Sequence, residues 1–387
     1  MELVLPPQTR RCNLILSIHR YNQVYESFSE SSAMTPPAQS DIATPATFTS
    51  ASQLAALLQG AGICPLDQLG WIRVTGEDRV RWLNGMVTNF IQQLQPGEGN
   101  YNFILSVQGR IQGDATIFAQ PDAFLMQTGS AQIPGLMALL DRFIIMDEVE
   151  LSDATSERSG LLVAGPQTSS VLASIGLNVE DLAILHVRTV SWKAVPVRVF
   201  HMHSPLVPRF ELWADPEIIP ELTDALQSAG ALLCKAQSLE WLRVLEGTPR
   251  YGTDIRDREL PQETGQTRAL HFAKGCYLGQ EIVERIRSRG NVHRTFGAFR
   301  LGGELPAAGS QLEADDKQIG ELTSVVAIPL LGEDPQMIQL GLGYVRREAL
   351  DRGATLHHAG GVAVPISLPF SVAAPPAQRP ASESERV

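Results

Sequence analysis

The pattern of apolar residues changes near residue 292, and this change constrains the fold more than any other feature. Between residues 51 and 290, strand-like runs alternate with segments in which leucines recur at helical spacing. From about Val292 the helical periods stop, and short strand-like runs are separated by glycine and proline. The sequence therefore predicts an α+β fold, with a large mixed core followed by a small β-barrel or sandwich.

Turn and cap signals place individual elements of the core. Apolar residues at helical spacing between Ser52 and Leu58 predict a helix that stops at Gly60. Two strand-like runs, residues 101–107 and 111–119, meet at Gln108-Gly109-Arg110 and predict a β-hairpin.

Both ends of the chain differ in composition from the core. The stretch from Tyr21 to Ser50 is rich in Ser, Thr, Pro and Ala and lacks an apolar period, so residues 1–50 are predicted to be a disordered extension. Met34 stands before a Thr-Pro-Pro run and is a candidate translation start. The predicted parts are residues 1–50, a core at 51–290, a barrel at 291–372 and a disordered tail at 373–387.

Charge and cysteine content exclude several classes of protein. The formal net charge is -11, from 31 Lys and Arg against 42 Asp and Glu, which argues against direct binding of nucleic acid or an anionic membrane. No apolar run approaches the ~20 residues that cross a bilayer. The four cysteines form no C-x-x-C pair, so we expect neither a disulfide framework nor a sequence-local zinc site, and we expect a cytoplasmic location.

The densest chemical cluster runs from Lys274 to Arg285, with glycines on both sides of Cys276. A helix is predicted from Leu278 to Arg289, which would place Cys276 at its positive end. Helix N–H groups and Lys274 would favour the thiolate and lower the pKa of Cys276 from ~8.5. The alternative is that Cys276 is a small buried hydrophobic residue, the usual environment of a free cysteine.

A second cluster follows a helix that ends in a glycine-proline turn. This turn would bring Arg243, Tyr251, Asp254 and Glu263 to a common edge. The alternative is a solvated loop with ordinary turn chemistry.

The K-G-C-Y-x-G-Q-E-x-x-x-R run resembles the defining motif of the YgfZ family, folate-binding relatives of the glycine-cleavage T-protein (aminomethyltransferase) that assist iron-sulfur proteins. The resemblance covers about residues 55–370. Its further matches are Leu83 to Asn89, Gln108 to Arg110 with Asp114, Arg243 to Glu263, and Gly341 to Arg347.

The resemblance implies two mixed domains around a central channel, followed by a small barrel. The channel would hold tetrahydrofolate, and Cys276 with Lys274 would serve assembly or repair of iron-sulfur client proteins, including tRNA-modifying enzymes. No stable metal is expected in the monomer, because one thiolate cannot complete a cluster site. The motif positions are Gly275, Tyr277, Gly279, Gln280, Glu281 and Arg285, and the candidate folate contacts are Asn84, Thr88, Asn89, Tyr101, Arg110, Asp114, Arg243, Tyr251, Asp254 and Glu263.

Two departures from the relatives bear on activity. Aminomethyltransferases carry adjacent aspartates at the hairpin, where this chain has Gly113 and Asp114, and Phe90 stands where many family members have Asp. The first departure argues against the T-protein reaction. The alternatives to an accessory protein are a folate-dependent one-carbon transferase or demethylase, and a regulatory folate sensor in which Cys276 is dispensable.

Overall fold

The computed structural model describes residues 50–290, 292–330 and 336–372. The predictions for residues 1–49 and 373–387, including the candidate start at Met34, lie outside the described residues. Ser50, assigned above to the extension, begins the first helix.

The helices and strands alternate up to residue 290, as the sequence predicts. In chain order, the α-helices are α1 (Ser50–Gln59), α2 (Arg79–Met86), α3 (Ile133–Asp141), α4 (Thr168–Ser174), α5 (Ile219–Ser228), α6 (Ala236–Glu246), α7 (Gln280–Arg289) and α8 (Arg347–Asp351). The strands are β1 (Gly62–Pro65), β2 (Leu69–Thr75), β3 (Gly99–Leu105), β4 (Ile111–Ala119), β5 (Phe124–Gly129), β6 (Glu150–Asp153), β7 (Ser159–Ala164), β8 (His186–Trp192), β9 (Val195–Met202), β10 (Arg209–Ala214), β11 (Leu232–Leu233), β12 (Arg294–Gly303), β13 (Gln311–Ala314), β14 (Lys317–Pro329), β15 (Met337–Arg346), β16 (Leu356–His358) and β17 (Gly361–Ile366).

The first sheet has five antiparallel strands in the order β3-β4-β5-β2-β6. The predicted hairpin joins β3 to β4, and Gly109 occupies its turn with a φ of 69°. Side chains of β4 alternate between faces, so Ala115 and Ile117 pack with Leu136 of α3, while Phe118 faces the other way.

The second sheet has six strands in the order β11-β1-β7-β10-β9-β8. Only the β1–β11 pair is parallel among its described strands. Its face meets the first sheet through an aromatic cluster, in which Trp71 of β2 lies 5.2 Å from both Phe200 and Trp213, measured between ring centroids. Burial of each such ring stabilises the contact by roughly 1.5–3 kcal/mol.

The C-terminal part is a closed barrel in the order β12-β15-β14-β13-β16-β17. Antiparallel pairing of β12 with β17 closes it, which leaves no open sheet edge. The prediction of an α+β core with a barrel is confirmed, and the sandwich alternative is wrong. Trp241 and Leu245 of α6 pack against Leu340 and Leu342 of the barrel, so the core and barrel share a hydrophobic cluster.

The cysteine motif differs from the predicted local structure at one point. The helix begins at Gln280 rather than Leu278, because Gly279 has a φ of 81° and ends the preceding loop. Cys276 therefore lies in a loop four residues before the helix. No helix in the described ranges is both long and apolar enough to cross a membrane.

Candidate functional site

Cys276 is exposed, whereas Cys64 and Cys234 are buried. Burial raises the pKa of Cys64 to about 11 and that of Cys234 to about 12, which suppresses their thiolates. The interpretation of Cys276 as a buried hydrophobic residue is therefore wrong. Cys12 lies outside the described residues.

Lys274 anchors the cysteine loop to the core. Its Nζ donates hydrogen bonds to the carbonyl oxygens of Asn84, Val87 and Asn89 at 2.7, 2.6 and 2.7 Å, and the residue is only 6% exposed. Burial lowers the pKa of Lys274 to about 7, while three carbonyl acceptors favour its charged form. All three N–H donors of the ammonium are used, so Lys274 fixes the loop to the core, and its effect on the Cys276 thiolate stays a prediction.

Segments 84–89 and 268–278 form one unit. Thr88 Oγ1 donates to the Ala269 carbonyl at 2.7 Å, and the Leu278 N–H donates to the Gly85 carbonyl at 2.9 Å. Asn89 Nδ2 donates to the carbonyls of Tyr101 and Arg268 at 3.0 and 2.9 Å. Asn84, Thr88 and Asn89, expected to contact folate, thus support the cysteine loop.

Two glycines allow the hairpin to approach this loop. A Cβ on Gly279 would lie 2.6 Å from the Ser106 carbonyl oxygen, and one on Gly109 would lie 2.7 Å from Ile282 Cβ. Both have positive φ, so glycine is required at each. A Cβ on Gly275 would meet nothing within 4 Å, so no close approach within the described residues requires glycine at this position.

The remaining motif residues lie beside or on α7. Tyr277 is buried, and its ring centroid lies 4.9 Å from Lys274 Nζ. Gln280 Oε1 accepts the Tyr277 backbone N–H at 3.3 Å. Glu281 and Arg285 are exposed on the helix surface.

Arg243 and Asp254 belong to a region that we call the barrel joint, where α6 and the loop after it meet the barrel. Arg243 pairs with Asp254 at 2.7 Å and with Glu240 at 2.6 Å. The fully buried Asp254 also accepts hydrogen bonds from the hydroxyls of Thr323 and Ser324, at 2.5 and 2.7 Å. Both charges thus have partners within the chain, and their assignment as folate contacts stays a prediction.

Glu263 occupies the same joint. Its two carboxylate oxygens accept the Nε and Nη2 of Arg294 at 3.0 Å each. Its Oε2 also accepts the Leu260 backbone N–H at 3.0 Å. This bidentate pair attaches the core to β12, and a folate contact through Glu263 stays a prediction.

Arg110 and Tyr251 also have partners in neighbouring loops. The Arg110 guanidinium is exposed and donates to the Arg258 carbonyl. The Tyr251 hydroxyl lies 2.8 Å from the Gln112 carbonyl oxygen and 2.6 Å from Asp257 Oδ1. Tyr251 also packs against the hydrophobic cluster that contains Tyr101.

Tyr101 and Asp114 lie between the two sheets. The Tyr101 hydroxyl donates to Asp114 Oδ2 at 2.7 Å, and Gln132 Nε2 donates to Asp114 Oδ1 at 2.9 Å. The Arg268 guanidinium lies over the Tyr101 ring, 4.3 Å from its centroid. These two predicted residues are thus brought together, with an arginine that the sequence did not single out.

The second sheet adds a buried carboxylate. Glu211, on β10, is fully buried and accepts hydrogen bonds from Gln127 Nε2 at 2.5 Å and Trp213 Nε1 at 3.1 Å. Arg209 lies 3.3 Å from Glu211, while the buried Arg209 Nε has no hydrogen-bond partner in the described structure. We call the whole group the inter-sheet cluster: Tyr101, Asp114, Gln127, Arg209, Glu211, Glu246 and Arg268.

Burial opposes charge at three groups of this cluster. It raises the pKa of Asp114 and Glu246 above the ordinary carboxyl range, and it lowers the pKa of Arg268. Glu246 is 6% exposed and accepts a hydrogen bond from Ser204. Enclosed acidic and basic side chains with shifted pKa values are typical of a ligand site.

No group of three or more His, Cys, Asp or Glu suited to a metal ion occurs among the residues that the structure describes.

Comparison with known proteins gives consistent relatives. Residues 24–274 match the family described as the GCVT N-terminal domain. An aminomethyltransferase from Nostoc sp. is 24% identical over 303 residues, which cover 72% of this chain and 76% of that protein. An aminomethyltransferase from Streptomyces coelicolor is 28% identical over 284 residues, covering 70% and 76%.

A solved structure has the same fold. The glycine cleavage system aminomethyltransferase T from Bartonella henselae gives a TM-score of 0.72, with coverage of 84% of this chain and 90% of that chain. The sequences are 19% identical over that alignment, so this likeness concerns the fold alone.

Proposed function

Because the chain belongs to the GCVT N-terminal domain family, we propose that it is a folate-binding accessory protein that supports iron-sulfur enzymes, including tRNA-modifying ones, through Cys276. The observation that carries the proposal is the presentation of Cys276. Its thiol is exposed on a loop that Lys274 fixes to the core through three carbonyls. A fixed, accessible thiol suits transient transfer of sulfur or iron, or a mixed disulfide with a client.

Tetrahydrofolate would bind at the inter-sheet cluster. A pterin edge presents N–H donors, which a buried carboxylate such as Glu211 can accept. The unpartnered Arg209 Nε supports this assignment, because a buried donor without an acceptor costs about 1–3 kcal/mol unless a ligand or water satisfies it. We therefore add Glu211 to Glu263 and Asp254 as a candidate contact for the pterin edge.

Genetic complementation tests the role of Cys276. In a strain lacking the gene, the wild-type chain should restore iron-sulfur enzyme activity under oxidative stress, and Cys276→Ala should not. Ser288→Ala, on the exposed surface of α7, is the matched control and should restore activity. Full rescue by Cys276→Ala would refute the accessory role and favour a folate sensor.

A one-carbon transferase is the second candidate, and one observation favours it. A Cβ at Gly113 would lie 2.5 Å from Leu136 Cδ2, on the face of β4 opposite Asp114. An aspartate at 113 would therefore point away from the inter-sheet cluster, and its absence leaves Asp114 in place. The absence of an aspartate at position 113 is therefore weaker evidence against aminomethyl transfer. Formation of methylene-tetrahydrofolate from a methylamine donor would establish this activity.

A further inference from the structure

A narrow cleft lies beside the aromatic contact between the two sheets, and three arginines line it. They are Arg73 of β2, Arg158 next to β7 and Arg198 of β9, and they share the cleft with the carboxylate of Glu157. A chain with a net charge of -11 does not attract anions over its whole surface. A local excess of arginine in one cleft therefore requires an explanation.

The aromatic contact between the sheets places two of these arginines. Side chains two positions apart on a strand lie on the same face, so Arg73 shares a face of β2 with Trp71, and Arg198 shares a face of β9 with Phe200. The rings of Trp71 and Phe200 lie 5.2 Å apart, measured between centroids. The cleft thus receives one guanidinium group from each sheet.

Arg198 is the arginine that lacks a counter-ion. Its guanidinium forms no hydrogen bond or ion pair with any residue that the structure describes, although the side chain is half-buried. Burial, followed by the charges of Arg158 and Arg73, lowers the pKa of Arg198. A charge removed from water is normally paired, because desolvation is costly. The donors of Arg198 are therefore available to a ligand.

The other two arginines are neutralised to different degrees. The two terminal nitrogens of Arg73 donate to the carboxylate oxygens of Glu157 at 2.7 and 2.5 Å. Arg158 lies 3.5 Å from Asp215, whose side chain is 56% exposed, so this ion pair is weak. Three guanidinium groups against one carboxylate leave the lining with two excess positive charges.

The size and charge of the cleft select the ligand. Its volume is about 20 Å³, and a cavity needs about 10–15 Å³ to hold one water molecule. An oxyanion can place one oxygen inside and keep its other oxygens at the mouth, where guanidinium groups bind them in pairs. A phosphate group carries nearly two negative charges at neutral pH, which balances the excess charge of the lining, whereas a carboxylate balances half of it.

We propose that Arg73, Arg158 and Arg198 form a binding site for a phosphate group, either free phosphate or a phosphate monoester. Arg198 supplies unpaired donors, and Arg158 exchanges its weak contact with Asp215 for the ligand. Arg73 stays attached to Glu157 and contributes charge. This inference goes beyond the proposed function, because none of the three arginines belongs to the inter-sheet cluster or to the cysteine loop.

Calorimetric titration of the full-length protein tests the site with three anions. Inorganic phosphate should bind with a Kd of about 1 mM or below, and acetate should bind at least about tenfold more weakly. Glycerol 3-phosphate distinguishes the two sources, since tighter binding than phosphate supports a monoester site and weaker binding supports a site for free phosphate. Absence of phosphate binding at about 10 mM, or equal binding of acetate and phosphate, would overturn the proposal.

Variants locate the binding on the cleft. Arg198→Gln should weaken phosphate binding by about tenfold or more, and Arg198→Lys, which keeps the cation, should weaken it less. Glu157→Gln should strengthen phosphate binding by about threefold, because it removes the negative charge from the lining. Arg188→Gln is the matched control, since Arg188 lies on the neighbouring strand β8 in an exposed pair with Asp181, and it should bind phosphate as the wild type does.

Near-ultraviolet circular dichroism checks that each variant folds. Wild-type phosphate affinity in folded Arg198→Gln would overturn the proposal, as would unchanged or weaker binding in folded Glu157→Gln. If Arg198→Gln does not fold, Glu157→Gln and the three-anion series decide the matter, because a purely structural role of the arginines predicts neither tighter binding nor preference for phosphate.

Discussion

The barrel joint and the inter-sheet cluster are both rich in enclosed charge, but they differ in pairing. In the joint, Arg243 pairs with Asp254 and Arg294 pairs with Glu263, with bond lengths of 2.7–3.0 Å. In the cluster, Arg268 has no ion-pair partner among the described residues. The comparison teaches that charges satisfied within the chain attach one part to another, while unsatisfied charges mark the place for a ligand.

The largest expected effect lies in the barrel joint. Asp254→Asn should lower the free energy of unfolding by about 2–3 kcal/mol, because Arg243 loses one of its two anionic partners and keeps only Glu240. Urea denaturation followed by intrinsic fluorescence measures the change. Asp181→Asn, which breaks the exposed pair with Arg188, is the control and should unfold as the wild type does. A loss under about 1 kcal/mol for Asp254→Asn would contradict the structural role of the joint.

Lys274 offers an intermediate case, since a buried charge is satisfied by carbonyls rather than by an acid. Lys274→Met should destabilise the attachment of the cysteine loop by about 2 kcal/mol, as three carbonyls lose their donor. Amides of residues 268–279 should then exchange hydrogen roughly thirtyfold faster in mass spectrometry. Exchange at the wild-type rate would show that the lysine does not hold the loop.

Removing a charge from the inter-sheet cluster should stabilise the protein, whereas removing one from the barrel joint should destabilise it. Burial raises the pKa of folded Glu246 above its unfolded value, so the native state binds more protons and its stability falls as pH rises through this window. Glu246→Gln removes that loss. Its denaturation midpoint should exceed that of the wild type at about pH 7, and the gap should close near about pH 4.

The pH series without ligand checks this point directly. A variant that is less stable than the wild type at neutral pH would mean that Glu246 has an ion-pair partner within the chain. The barrel joint and the inter-sheet cluster would then no longer differ in how their charges are paired.

The smallest effect on folding is expected at the exposed thiol. Cys276→Ser should unfold at the same urea concentration as the wild type, since the side chain is exposed and buries little surface. Alkylation by iodoacetamide at neutral pH should label Cys276 well before Cys234, and peptide mass spectrometry reports both rates. Faster labelling of Cys234 would contradict the burial that separates them.

Local signals were sufficient for much of the fold. The Gly109 hairpin and the helix end at Gly247, where φ is 68°, follow from turn and cap chemistry that acts over a few residues. The sequence predicts the start of α7 two residues too early, because nothing in it distinguishes Leu278 from a helical residue. The positive φ of Gly279 sets the first residue of α7, and contact with the Gly109 hairpin imposes that conformation.

The site was predicted less well, since its residues depend on long-range pairing. Asp254 and Arg243 had the right chemistry for folate, but their barrel partner Ser324 is 70 positions beyond Asp254. Glu211 carried a usable signal, because it is an isolated acid within the buried run of β10. Arg268 carried none, as its pairing with Tyr101 arises only when the loop before α7 folds onto β3.

Hydrogen exchange with and without tetrahydrofolate tests the contrast between the two regions most directly. The account predicts that the ligand slows exchange in peptides covering β3, β4, β10 and residues 266–270, while peptides at residues 250–263 are unaffected. Protection confined to residues 250–263 would place the ligand at the barrel joint and contradict the account.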